Sequence, residues 1–327
     1  MIHYTLFGES HGPAVGAVLT GVPAGLTPDW DLIRAELARR APGQSALTTA
    51  RQETDTPQVI SGLFEGKTTG TPLAVLIHNT DTRSGDYEQL RHIPRPGHAD
   101  YSGWVASGGC RDHRGGGHFS ARITAPLVFA GALAKQLLLA HGVTITAAIT
   151  RVGGVDQPTP QQLEQIILDA RKRLDSVGGV ISCQVDGLPA GLGASDLDCN
   201  AEGIFSKHLF AIPAVKGIQF GAGFGFADLW GSQANDPFYF DEAGVVRTRT
   251  NHAGGINGGI TNGMPLTFDL AFRPTPSIAQ EQESVNLATG QPARLSIHGR
   301  HDPCVLPRAL VVVECAAALA AWELFQP

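Results

Sequence analysis

The chain has 327 residues, 43% of them hydrophobic and 17% charged, a balance that excludes an intrinsically disordered protein and leaves room for one large domain or two ordinary ones. Its net charge of −6 argues against a general nucleic-acid binder, although the arginines cluster and suggest a local basic pocket. The five cysteines, Cys110, Cys183, Cys199, Cys304 and Cys315, are odd in number and lack CxxC spacing, which excludes a disulfide framework and a structural zinc and points to reduced thiols in a cytoplasmic protein.

The chain opens without a signal peptide. A strand over Tyr4 to Phe7 runs into Gly8-Glu9-Ser10-His11-Gly12, a tight turn carrying an acid, a hydroxyl and an imidazole. A second strand spans Val15 to Thr20, followed by the turn Gly21-Val22-Pro23-Ala24-Gly25-Leu26. Thr27-Pro28-Asp29 starts a helix with a cap, a proline in the first turn and an acid at the positive end. Pro42-Gly43 stops it after Arg39 and Arg40, and Arg39 reads as a complement to the helix dipole. Thr48 to Asp55 is polar and turn-like. Val59 to Phe64 and Leu73 to His78 read as strands around a glycine-rich hairpin, Gly66 to Gly70. Asp81 to Tyr101 reads as a long irregular segment, and loops of that length tend to be functional. Within it, Pro96 and Gly97 restrict the backbone just before His98, which has Asp100 two residues on.

The stretch around which the chain is organised runs from Ser107 to Pro126. Three glycines, Gly115 to Gly117, sit among Arg111, His113, Arg114, His118 and Arg122, and an apolar helical run follows, Leu127 to Leu139. A glycine loop feeding a helix N-terminus predicts a small anionic ligand, bound by backbone N–H groups and arginine forks. Beyond it lie a strand (Thr144 to Val152), a helix (about Pro160 to Arg173) and a strand (Val180 to Val185). Gly187-Leu188-Pro189-Ala190-Gly191-Leu192 then nearly repeats the turn at Gly21. Each copy follows a strand and precedes a helix, which suggests a weak internal duplication with a pseudo-twofold architecture; chance recurrence of a turn is the alternative. A helix (Ala201 to Ala211), a strand (Val215 to Phe220), a glycine-rich loop region (Gly221 to Gly263) and a strand (Leu266 to Phe272) come next. Arg273-Pro274-Thr275-Pro276-Ser277 is a rigid loop with a cation and two hydroxyls. Gly299-Arg300-His301-Asp302-Pro303-Cys304 precedes a C-terminal apolar helix. Its core, Ala309 to Trp322, is too short and too charged at its edges to span a bilayer, so no membrane is expected. No polar linker divides the chain, and residues 1–327 read as one domain.

Several loops therefore carry the same kit of glycine, arginine and histidine. If they converge, they hold a ligand with several negative groups beside imidazoles able to pass protons. His11, His98 and His301 each lie in a restricted turn next to a charged or hydroxyl residue. No HExxH, GxSxG, Rossmann or Walker motif is present, and no metal site is expected.

The motifs FGESHG, GVPAGL, RxPG, RPGHADY, RDHRGGGHFSAR, NHAGGINGGITNG, RPTPS and GRHDPC resemble, over nearly the whole chain, those of the chorismate synthase family. The resemblance implies an α+β fold, a β-α-β sandwich with central helices between antiparallel sheets, assembled as a homotetramer. It implies a 1,4-elimination that converts 5-enolpyruvylshikimate 3-phosphate, a trianion, to chorismate and phosphate. Reduced FMN is required although no net redox change occurs, and NADPH is a candidate reductant for that flavin. By resemblance, His11 holds a proton near the flavin, His98 serves the departing phosphate, and Asp302 assists proton handling, with Ser10 and Ser120 as hydroxyl donors. Arg40, Arg51, Arg114 and Arg122 are the expected substrate ligands. His118, Phe119, Ser120, Ala214, Gly258, Arg273, Pro274, Thr275, Pro276, Ser277 and Arg300 are expected to line FMN. The chain departs from the family's pattern at Ala46, where a second arginine is usual, and at Pro213, where an asparagine is usual. It departs again at His118 and Phe119 (arginine and serine), and at Arg273 and Pro276 (lysine and serine). Two rival functions remain: a flavin-binding protein or NADPH-dependent FMN reductase that has lost the elimination, and a metal-dependent phosphohydrolase, which the scattered acids serve poorly.

Overall fold

Short alternating strands flanked by glycine turns build two antiparallel sheets, and the two most apolar helices lie between them. The computed structural model describes residues 2–43, 53–81, 90–196, 199–297 and 301–325. Along the chain come β1 (His3–Gly8), β2 (Ala14–Thr20), α1 (Trp30–Arg40), β3 (Pro57–Ser61), β4 (Leu73–His78), α2 (Asp100–Ala106) and α3 (Thr124–Leu139). Then follow β5 (Thr144–Val152), β6 (Val155–Asp156), α4 (Pro160–Lys172), β7 (Gly179–Asp186), α5 (Ala201–Phe210), β8 (Val215–Phe220), β9 (Leu266–Phe272) and α6 (Leu306–Leu324). The first sheet has the order β1-β2-β4-β3 and the second β8-β9-β7-β5-β6.

α1 begins later than its sequence suggests: Thr27 and Pro28 lie before the helix and Asp29 is the cap, its carboxylate accepting from the backbone N–H groups of Asp31 and Leu32 at 3.1 and 3.0 Å and satisfying two of the helix's free donors. Three further expectations need correction. The strand expected over Val59 to Phe64 breaks at Gly62, whose φ of +81° only glycine adopts without strain, and Leu63–Phe64 pairs instead with Lys67–Thr68. α2 lies where a loop was expected to continue. Arg39 does more than complement a dipole: its guanidinium is bidentate to Glu314 at 2.7 and 2.8 Å, and Lys135 reaches both Glu36 and Glu314 at 2.6 and 2.7 Å. These pairs tie α1, α3 and α6 together.

α3 and α6 pack against each other, and one apolar core runs through both sheets. Phe129, Leu133, Val313 and Cys315 are fully buried, each large apolar side chain contributing about 1.5–3 kcal/mol relative to exposure. The segment Ala121–Leu139 is long and apolar enough to cross a membrane, but it is a core helix, covered on its flanks by β2 and α6. Gly131 sets the crossing distance, since a Cβ there would lie 2.2 Å from the Cβ of Cys315.

The weak repeat seen in the two PAGL turns extends through the fold. In the first copy Thr68 Oγ1 donates to Pro23 O at 2.5 Å and accepts from Leu26 N at 3.0 Å. In the second, Thr261 Oγ1 donates to Pro189 O at 2.7 Å and accepts from Leu192 N at 2.9 Å. Each threonine sits in a small hairpin, Leu63–Phe64 with Lys67–Thr68 and Ile256–Asn257 with Ile260–Thr261. Strand order matches as well: β1-β2-β4-β3 corresponds to β5-β7-β9-β8, with β6 added at an edge. Each half therefore supplies one sheet built on the same four-strand order and one central helix.

Candidate active site

A cavity of about 750 Å³ opens where the halves meet, within the ~300–1,000 Å³ range of small-molecule sites. The first turns of both central helices reach it, through Ile123 and Thr124 on one side and Val305, Arg308 and Ala309 on the other. Two helix N-termini thus direct their partial positive charge at one space. The ends of α1 and α5 also meet there, through Arg40 and Pro42 from one half and Ala211 and Pro213 from the other. The wall is apolar along Leu6, Phe119, Phe210, Pro213, Val305 and Val312.

The triple-glycine loop works differently from the sequence expectation. Gly116 N and Gly117 N both donate to Arg114 O, at 2.7 and 3.0 Å, so these donors are spent within the loop. Short 3₁₀ turns at Gly117–Phe119 and Ala121–Ile123 separate it from α3. Its glycines make room for imidazoles instead. A Cβ on Gly115 would lie 2.1 Å from His11 Nδ1, and one on Gly116 would lie 3.2 Å from His98 Nε2. Ser10 Oγ is 3.1 Å from His11 Nδ1.

The cationic end is assembled around buried carboxylates. Asp55 accepts from Arg40 Nη1 at 2.6 Å and from Arg122 Nη1, and Glu53 lies 3.4 Å from Arg122. Burial works against the Asp55 charge, but Arg40 and Arg122 outweigh it and hold this carboxyl below its usual range. Arg122 Nε also donates to Asn79 Oδ1 at 2.9 Å, and Arg40 Nε to Thr124 Oγ1 at 3.1 Å. Arg308 joins the second half, donating to Asp302 Oδ2 at 2.6 Å and to Arg40 O at 2.9 Å. Such anchoring fixes long side chains before any ligand arrives.

His98 lies 2.8 Å, Nδ1 to Oδ1, from Asp100, which Arg95 grips from Nε at 2.7 Å and Nη2 at 2.9 Å. Burial, opposed by Asp100 and assisted by Arg95 and Arg111, keeps His98 below the ordinary histidine pKa. Burial and the Arg95 charge push His301 down to about 4.

Of the residues expected at the site, Ser10, His11, Arg40, His98, Arg122 and Asp302 all line this cavity. So do His118, Phe119, Ser120 and Ala214 and, from the RPTPS loop, Arg273, Thr275, Pro276 and Ser277. Ala214 has a φ of +76°, the left-handed region that non-glycine residues seldom occupy. Three expected residues fall elsewhere. Arg114 is turned aside by Asp112, to which it donates at 2.9 and 2.7 Å. Gly258 is in the hairpin that mirrors Leu63 to Thr68, apart from the cavity wall. Pro274 lies outside the lining while its loop neighbours are within it. Arg51, Arg300 and Ala46 lie outside the described residues. Sequence reasoning missed Arg95, Arg308 and Asp55 as site residues and Lys216 on the wall. The RPGHAD phrase carried a signal for Arg95; nothing local distinguished Arg308 in an apolar helix.

The chain is similar to known proteins over nearly its whole length. The family model described as chorismate synthase matches residues 2–325. A chorismate synthase of Methanothermobacter thermautotrophicus is 44% identical, over 98% of this chain and 91% of its own length. One from Cytophaga hutchinsonii is also 44% identical, over 96% and 93%. A crystal structure of a chorismate synthase superposes with a TM-score of 0.75 at 26% identity, covering 99% of this chain and 91% of that one. The chain belongs to the chorismate synthase family.

Proposed function

We propose that this protein converts 5-enolpyruvylshikimate 3-phosphate to chorismate and phosphate, with reduced FMN bound beside the substrate in the cavity between the halves. The observation that carries the reading is the convergence of Arg40, Arg122, Arg308, His11, His98 and two helix N-termini on one apolar-walled cavity. A substrate with two carboxylates and a phosphate suits such an end.

The residues present fit a flavin mononucleotide. The apolar wall offers a slot for a planar ring, and His118 and Phe119 meet edge to face at its mouth, 6.4 Å apart. Thr275 Oγ1 is buried there without a hydrogen-bond partner among the described residues, a donor suited to a polar cofactor chain. Ser120, Ala214, Arg273, Thr275, Pro276 and Ser277 would hold it. Reduced flavin, when bound, supplies a reversible source of electron density for an elimination without net oxidation or reduction.

In the elimination the C3–O bond breaks with its electron pair leaving on phosphate. C6 loses its hydrogen as a proton, and the electron pair left behind completes the ring's new double bond. Arg40 and Arg122 bind and orient the anionic groups. His98, with Nδ1 occupied by Asp100, can hold or release a proton at Nε2 toward departing phosphate. Asp302, oriented by Arg308, and His11, beside Ser10, are further groups able to hold a proton at the wall. Apolar flanks limit water access and strengthen each charge interaction.

A single functional unit over residues 1–327, a homotetramer and a cytoplasmic location belong to the same reading. The five free cysteines support the location. Exposed Phe224, Trp230, Phe238 and Phe240 support an assembly. NADPH is the candidate reductant. The testing experiment is anaerobic: protein, substrate and chemically reduced FMN, followed for chorismate absorbance and phosphate release. Both products appearing together, and only with reduced flavin, is the expected result. Flavin binding without product would move the assignment to a flavoprotein that has lost the elimination. An aerobic repeat with NADPH and oxidised FMN then tests self-reduction.

A further inference from the structure

We infer that Asp100, clamped by Arg95, is the positioning residue that turns the Nε2 of His98 into the cavity and keeps its proton on Nδ1. The inference rests on the role given to His98 above and deepens it.

Asp100 is 1% exposed and Arg95 2%. Asp100 Oδ2 accepts from Arg95 N at 3.0 Å and Arg95 Nε at 2.7 Å; Oδ1 accepts from Arg95 Nη2 at 2.9 Å. Arg111 Nη1 stands 3.4 Å from Oδ1. The remaining Arg95 nitrogen, Nη1, donates to Ser277 Oγ at 3.1 Å, linking the clamp to the RPTPS loop. Three Arg95 donors thus hold this carboxylate in place.

His98 Nδ1 has two neighbours, Asp100 Oδ1 at 2.8 Å and Arg95 Nη2 at 3.2 Å. A guanidinium only donates and a carboxylate only accepts, so one ring nitrogen cannot satisfy both. The shorter contact, to the charged acceptor, decides: Nδ1 carries the proton and donates to Asp100, while Arg95 is spent on the same carboxylate. Nε2 then faces Gly116 and Ser120, where the absent Cβ leaves space. The neutral ring thus presents a lone pair to the cavity, and the protonated ring presents an N–H.

Among the described residues, the titratable and charged groups facing His98 are Arg95 on its own segment, Asp100 on α2, Arg111 after α2 and His301 before α6. Asp100 is the single anion among them. Its removal leaves only burial and cations, which disfavour the imidazolium.

The test combines kinetics of the full chain with imidazole nitrogen NMR of histidine-labelled wild-type protein, the His98 signal assigned through His98→Gln. Neutral His98 is expected protonated at Nδ1. With reduced FMN and 5-enolpyruvylshikimate 3-phosphate, Asp100→Asn is expected to lower kcat on the order of 100-fold with KM little changed. Its alkaline limb should move to lower pH by about one to three units, and Asp100→Glu should recover part of the loss. A wild-type His98 protonated at Nε2 instead overturns the proposal, and does so even if Asp100→Asn fails to fold. So does an Asp100→Asn enzyme with the wild-type rate and pH profile while His98→Gln is inactive. Full turnover by His98→Gln overturns instead the role of His98 in the elimination, and the tautomer then decides the positioning claim by itself.

Discussion

Single residues in this protein are defined more by their partners than by their type. His98 is held below the ordinary histidine pKa by burial, so the free protein carries it neutral at pH 7. A phosphate dianion placed at Nε2 acts the other way. Substrate binding at pH 7 is therefore expected to take up a proton, measurable by calorimetry in buffers of different ionisation enthalpy, and His98→Gln should abolish the uptake while still binding FMN. His301 gives a stability prediction. Its folded pKa, about 4, lies below the ordinary ~6.5 of an unfolded chain. Between those values the unfolded state binds more protons, so the stabilisation is present above pH 6.5 and is lost as pH falls toward 4. Denaturant titrations should show wild type losing about 2 kcal/mol more than His301→Asn between pH 7 and pH 5. Equal losses would remove His301 as the source.

At the scale of elements, two features make the site possible. The first is close approach of α3 and α6. An alanine at position 131 would meet not only Cys315 Cβ but its backbone, with Cα and O both at 2.6 Å, and a backbone cannot swing aside. Gly131→Ala should cost about 1–3 kcal/mol or more through overpacking, read as a lower midpoint in chemical denaturation. Because the same crossing brings both helix N-termini to the cavity, FMN affinity should fall with it. The second is the carboxylate anchorage of α1 to the segment before α3. Asp55→Ala leaves Arg40 and Arg122 buried without their shared anion, and breaking such a pair costs roughly 3–5 kcal/mol. Loss of folded protein at 37 °C, or a large fall in melting temperature, is the expected outcome.

For the whole molecule, duplication explains why one cavity has two characters. The halves are alike in strand order and in their threonine-latched turns, but they present different side chains at the join. The end of α1 offers Arg40 and Pro42, and the end of α5 offers Ala211 and Pro213. At these two corresponding helix ends, one half thus contributes a cation where the other contributes an apolar surface. Each central helix is buried by the other half, so neither half can bury its apolar surface alone. A fragment ending at the exposed turn around Gly142 should be unfolded or aggregated by circular dichroism and gel filtration. Co-expression with the remainder should restore soluble protein; a monomeric, folded N-terminal fragment would contradict this.

The sequence by itself determined the elements and the family. Short runs between turn residues placed most strands of the two sheets, the Thr27-Pro28-Asp29 signal placed the start of α1 to within a turn, and the ordered motifs identified a chorismate synthase-like chain with His11, His98, Asp302, Arg40 and Arg122 as site candidates. These are local signals, written in neighbouring residues. Only the tertiary structure decided what depends on distance across the chain. It joined Arg122 to Asp55 and tied Arg39 and Lys135 to Glu314. It set Arg308 on the Arg40 carbonyl, and it extended one repeated hexapeptide into a duplicated fold. The physical reason is the same in each case. A hydrogen bond or ion pair between groups far apart in sequence leaves no periodicity behind, and the partner that wins a side chain is fixed only when packing has excluded the others.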